Sequence, residues 1–172
     1  MSKSGFDTKV LAEVSVMVAL SLVLNFIKIY QLPQGGSITL ASMVPVLLIS
    51  FRHGPKVGIF SGVVFGLAQM FLDGWFYSPV GMALDYPIAF GSLGLAGIFK
   101  KNPLFGVVVS LTTRFVSHFI SGVVFFAMYA PVGMSPIVYS AIYNGSYMVP
   151  ELVISGVIIY LLIQRGTLNI NI

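Results

Sequence analysis

The stretch VLAEVSVMVALSLVLNFIKI, residues 10–29, decides how this chain is read. A helix that crosses the hydrocarbon core of a bilayer needs roughly 20 mostly apolar residues, and this run has that length. It is too long for the apolar segment of a secretory signal, and no small-residue cleavage pattern follows it. It therefore reads as a first membrane helix over 8–30.

The rest of the composition agrees. The chain has 172 residues, of which 57% are hydrophobic and 8% charged, against about 25% charged in soluble domains. A soluble chain of this size lacks the interior volume to hide so much apolar surface. A single membrane domain over 1–172 is expected. The absence of cysteine excludes disulfides and thiolate chemistry. Two histidines and five carboxylates give no expectation of a metal site. The net charge of +4 is spread along the chain, so nucleic acid is not expected as a partner.

Breaks in the apolar pattern give five further spans. Gln31-Leu32-Pro33-Gln34-Gly35-Gly36 ends the first. The others are expected over 38–51, 56–71, 82–99, 104–129 and 136–164, separated by His53-Gly54-Pro55, the loop 72–81, Lys100-Lys101-Asn102-Pro103 and Ala130-Pro131-Val132-Gly133. The expected fold is an all-α bundle of six transmembrane helices. The second, third and fourth spans are short, which suits helices sheltered by their neighbours. Lys3, Lys9, Arg52, Lys56, Lys100, Lys101 and Arg165 all fall on one side if the spans alternate, and the opposite loops 31–36, 72–81 and 130–135 hold no Lys or Arg. The positive-inside rule then puts both termini in the cytoplasm. Lys28 can snorkel outward; Arg114 is too deep to do so.

Polar groups inside a membrane are costly and point to function. With both termini inside, Asp85 lies in the first turn of the fourth span at its outer end. His118, Tyr139, Asn144 and Gln69 reach the same outer layer at about 1.5 Å of rise per residue. Trp75, Tyr77, Phe65, Tyr86 and Phe126 add aromatic surface. Apolar walls with a few convergent polar groups describe a small-molecule pocket open to the outside. A carboxylate in such surroundings asks for a cation, which aromatic faces also favour. Trp75 serves equally as an interface-belt residue. Arg114 and Glu151 both fall near mid-membrane, and the simplest reading is an ion pair beneath the pocket. Gly58, Gly62 and Gly66 form a small-residue stripe, with Gly91, Gly94 and Gly97 in the next span; close packing inside the bundle is the expected use of both. Ser15 and Ala19 form a similar pair on the first span, suited to internal packing or to another membrane subunit. The loop 72–81 is a candidate gate.

Leu32-Pro33-Gln34-Gly35-Gly36-Ser37-Ile38 with Met43-Val44-Pro45 resembles the first loop and second helix of the thiamine-specific substrate-binding subunits of energy-coupling factor transporters. Leu84-Asp85-Tyr86-Pro87-Ile88-Ala89-Phe90 is similar to that family's fourth helix. His118-Phe119-Ile120-Ser121-Gly122 and Tyr139-Ser140-Ala141-Ile142-Tyr143-Asn144-Gly145 resemble its fifth and sixth. The resemblance covers the chain in order. It implies thiamine as ligand, bound by Asp85, Tyr86, His118, Tyr139 and Asn144 with Phe65 and Phe126 as aromatic lining. It implies a membrane coupling subunit docked on Ser15 and Ala19, two ATP-binding subunits, a location in the plasma membrane of a prokaryote, and inward release by toppling of the binding subunit. Some members carry glutamate at the position of Asp85 and tryptophan near Gly36, Phe65 and Phe126, whereas Trp75 is the one tryptophan here.

Thiamine's cationic thiazolium and hydrogen-bonding aminopyrimidine suit one carboxylate, an Asn, a Tyr, a His and aromatic faces. No phosphate-cradling Gly-rich loop is present, so ATP hydrolysis is not expected of this chain. A different vitamin or precursor is the alternative within the same class. An intramembrane enzyme using His118 and Asp85 would need a nucleophile or metal beside them. A channel using Arg114, Glu151 and His118 would conduct without partner subunits.

Overall fold

Proline and glycine punctuate the chain, and most elements begin or end beside them. The computed structural model describes residues 7–166; Lys3, counted above among the basic residues, lies outside the described residues. Helix α1 spans Thr8–Phe26, opened by the Asp7 carboxylate, which accepts from the Thr8 N–H at 2.7 Å. It stops short of residue 30 because Lys28–Gln31 is drawn into a strand, β1, that pairs antiparallel with β2, Ser37–Thr39. The connection passes through Gln34 and Gly35, both at positive φ (62° and 90°), a conformation Gly35 adopts without steric cost. Lys28 consequently does not snorkel from a helix end. It bonds Asp73 at 2.5 Å from the hairpin.

The second helix, α2, spans Val44–His53 rather than 38–51. Residues 37–39 belong to β2, and Ala41 sits at φ 60°, so the helix begins only where Pro45 occupies its first turn. Val46, Leu47, Ile49 and Phe51 are 0% exposed, which makes α2 the core of the bundle. Next come α3, Pro55–Asp73, and the span α4, Pro79–Phe99. They are followed by α5, Pro103–Phe125, and α6, Pro136–Gln164. α1, α3, α4, α5 and α6 are long and apolar enough to cross a membrane, and α2 is a shorter apolar helix. The protein is an all-α membrane protein carrying a small two-stranded hairpin.

α4 changes its winding along its length. An α-helical start, Pro79–Ala83, opens into a wide π-type turn, Leu84–Ile88, that contains Pro87 and then tightens to 3₁₀ over Ser92–Phe99. Proline has no N–H to give the helix ladder, and such wide turns favour functional positions. The Leu84 carbonyl is taken up from outside the helix by Ser117 Oγ of α5 at 2.6 Å. α3 and α4 approach to backbone contact. A Cβ at Gly66 would lie 2.6 Å from the Tyr86 carbonyl oxygen, and one at Gly58 would lie 2.9 Å from Gly94 Cα. The glycine stripes therefore serve packing inside the bundle, as expected.

Candidate functional site

A cavity of about 320 Å³ lies between the β1–β2 hairpin, α3, α4, α5 and α6. Asp85 stands on the wide turn of α4. Since the helix starts at Pro79 and not at 82, Asp85 lies in its second turn. Its Oδ2 accepts from Ser121 Oγ at 2.7 Å and from the Tyr77 hydroxyl, and its Oδ1 meets His118 Nδ1 at 2.8 Å. Burial first, and the Asp85 carboxylate second, push the Tyr77 hydroxyl well above its ordinary pKa, so it remains a donor at neutral pH.

His118 is fixed from its other side. Arg114 Nε donates to His118 Nε2 at 3.3 Å. A guanidinium carries only donors, so Nε2 presents its lone pair and the ring proton sits on Nδ1, facing Asp85. A neutral imidazole thus bridges a buried cation to the site's carboxylate. Arg114 also lies over the Phe90 ring, 4.1 Å from its centroid, and reaches Met43 Sδ. Among the described residues no carboxylate comes within 4.0 Å of it. The expected ion pair with Glu151 is therefore not formed. The two residues share a depth, but Glu151 turns to the hairpin and bonds Thr39 instead.

α5 and α6 bring His118 and Asn144 together because Gly122 lets the helices meet. A Cβ there would collide with Ser140 Oγ and lie 3.1 Å from Asn144 Nδ2. Asn144, 4% exposed, donates to the Ser140 carbonyl at 2.9 Å, and its Oδ1 accepts from the Tyr147 hydroxyl at 2.8 Å. Tyr139, Tyr143 and Tyr147 recur every four residues and form one aromatic face of α6 on the cavity. Tyr86, Trp75, Phe126 and Gln69 also line it. The Tyr86 hydroxyl accepts from the Trp75 N–H at 2.9 Å, and Phe126 stands edge-on to Tyr77 at 4.7 Å. Gln69 Oε1 has no hydrogen-bond partner among the described residues. Phe65 departs from expectation: it is 0% exposed, lies edge-on to Phe90 at 4.7 Å and backs the wall rather than lining it.

The hairpin forms part of the cavity wall, bringing Gln31, Gln34, Gly36 and Ser37 to its lining. Tyr143 holds its tip: the hydroxyl donates to the Pro33 carbonyl and accepts from the Gly36 N–H at 3.0 Å. The loop 72–81, expected as a gate, gives Trp75 to the lining and Tyr77 to the support of Asp85. Sequence reasoning assigned no role to Tyr143, Tyr147, Ser121 or Thr39. The four-residue spacing from Tyr139 was the available signal for the two tyrosines. Among the described residues no group of three His, Cys, Asp or Glu side chains is placed to hold a metal.

Comparison with known proteins fits this geometry to a family. The model of the thiamine transporter protein family (Thia_YuaJ) matches residues 11–170. The chain belongs to that family. Thiamine transporter ThiT of Bacillus subtilis is 36% identical, with 91% of each chain covered. The protein of the same name from Lacticaseibacillus paracasei is 26% identical, covering 90% of this chain and 86% of its own length. A solved structure of ThiT from Listeria monocytogenes superposes with a TM-score of 0.83 at 25% identity, covering 93% of this chain and 96% of that one. The family match spans every cavity residue named above, and these relatives are named as transporters, not enzymes.

Proposed function

We propose that this member of the thiamine transporter family captures thiamine from outside the cell and serves as the substrate-binding subunit of an energy-coupling factor transporter in the plasma membrane. One observation carries the reading: a half-buried carboxylate, Asp85, sits in an aromatic-walled cavity of a chain whose relatives are named thiamine transporters. The ligand's permanent cation is drawn to Asp85 and to the ring faces of Tyr86, Tyr139, Phe126 and Trp75. Its polar ring finds partners among Asn144, His118 and Gln69. Phe65 acts indirectly, by holding Phe90.

The whole chain forms one domain that crosses the bilayer six times, α2 making the short pass, with both termini in the cytoplasm. The distribution of Lys and Arg supports that orientation. Energy comes from two ATP-binding subunits through a membrane coupling subunit. Ser15 and Ala19, both exposed on α1, supply its docking face. Bulky substitutions there are expected to reduce co-purification with the coupling subunit.

The test is a calorimetric titration of purified protein with thiamine, beside Asp85→Ala and Asn144→Ala. The expected wild-type affinity is nanomolar to low micromolar, roughly −8 to −12 kcal/mol, and both variants lose most of it. A folded wild-type protein that fails to bind thiamine but binds another vitamin would move the function within the class. Failure with every candidate would remove the reading.

A further inference from the structure

Glu151 is 2% exposed and sits about two helical turns further along α6 than Asn144. Its Oε1 accepts two hydrogen bonds from one residue, the Thr39 N–H at 2.5 Å and the Thr39 hydroxyl at 2.8 Å. Thr39 ends β2. Its Oγ1 also lies 2.7 Å from Ser42 Oγ, and between them Ala41 holds a left-handed backbone at φ 60°. A carboxylate of the last helix thus grips the point where the hairpin joins α2.

The same face of α6 grips the hairpin a second time. Tyr143 and Glu151 are eight residues apart, with Tyr147 between them at the four-residue repeat, so all three share a stripe. Tyr143 binds the hairpin's tip and Glu151 its root. Glu151 Oε2 has no hydrogen-bond partner among the described residues, and Arg114 is engaged by His118, Met43 and Phe90. Glu151 therefore acts through one oxygen, on Thr39, and not as half of an ion pair.

The geometry points to Glu151 as a positioning residue for ligand retention: it fixes the hairpin as a wall of the cavity that holds the Asp85–Asn144 layer. The role rests on the ligand capture proposed above. Without the Thr39 bonds the root of the hairpin is left to the Lys28–Asp73 pair and lifts more readily, Gln31, Gln34 and Gly36 leave the lining, and bound thiamine escapes sooner.

Two readouts test it on the purified full chain, hydrogen exchange of residues 28–40 and the dissociation rate of thiamine followed by Trp75 fluorescence. Glu151→Ala is expected to speed both by about tenfold while the amides of α5 exchange as in wild type. Glu151→Gln keeps an oxygen that accepts from both Thr39 donors and stays within about threefold of wild type. Thr39→Val keeps the N–H bond to Glu151, loses the hydroxyl's bonds to Glu151 and to Ser42, and gives a change of about threefold, confined to the hairpin and its junction with α2. Unchanged hairpin exchange in Glu151→Ala would overturn the assignment. So would an increase spread evenly over all helices, or Glu151→Gln behaving like the alanine variant. If Glu151→Ala does not fold, a hairpin-confined change in Thr39→Val upholds the assignment and its absence overturns it. If wild type binds no thiamine, the capture proposal fails, yet the exchange pattern still decides what Glu151 holds.

Discussion

Asp85 and Glu151 are both acids lining one cavity, yet they are held in opposite ways. Asp85 uses both oxygens and draws donors from the 74–78 loop and from two positions on α5. Glu151 uses one oxygen and a single partner residue in the hairpin. The acid with more bonds to the protein is also the more open: the Asp85 side chain is 17% exposed, against 2% for Glu151 as a whole. Burial and charge alone would have ranked Glu151 as the stronger functional candidate. The source of the donors separates the two. Donors from the walls fix the Asp85 carboxylate in the cavity, whereas donors from the hairpin tie Glu151 to the hairpin.

The largest effect that could break this contrast is at Asp85. Replacing it with alanine leaves Tyr77, Ser121 and His118 without their acceptor and removes the site's charge. Thiamine affinity is expected to fall at least about 100-fold, or about 3 kcal/mol, by calorimetry; a loss under fivefold would mean that Asp85 is as structural as Glu151. Gly122→Ala comes next. The added methyl meets Ser140 where α5 and α6 cross, and forced repacking costs about 1–3 kcal/mol, read as a lowered Tm. An unchanged Tm would show that the helices can part there. Tyr143→Phe keeps the ring and loses both bonds to the hairpin tip, so thiamine is expected to dissociate about threefold faster in stopped-flow fluorescence. Unaltered release would leave retention to Glu151 alone. The smallest effect concerns Tyr77, whose folded-state pKa lies above its ordinary value of 10.0. Its contribution to stability is complete below pH 10.0 and is lost as pH rises through and beyond it. Alkaline denaturation of Tyr77→Phe should begin at higher pH than that of wild type.

Much of this was legible in the sequence. α6 matched its expected bounds because its punctuation, a proline at the start and polar residues at the end, is unambiguous. Asp85, His118 and Asn144 stood out as polar groups with no business in lipid, and depth along ideal helices brought them to one layer. The hairpin was not legible. Residues 28–30 continue the helical run without a break, and only pairing with Ser37–Thr39 turns Lys28–Gln31 into a strand. The Arg114–Glu151 pairing failed for a related reason. Counting residues gives depth, but the partner that matters for Glu151 lies 112 residues away, on an element the periodicity did not reveal. Phe65 misled because α3 turns that face toward α4 through its glycines.

The polar contacts at opposite ends of the first helix have a mechanical consequence. Near its start, Glu13 holds Arg52 at 2.6 Å and His53 at 2.9 Å. Just past its far end, Lys28 holds Asp73 at 2.5 Å. Between these staples most of α1 faces outward, with Ser15 and Ala19 on its exposed side. A beam pinned at both ends cannot swivel about its own axis. Whatever touches the middle of α1 therefore meets a helix stapled near one end to α2 and just past the other to α3.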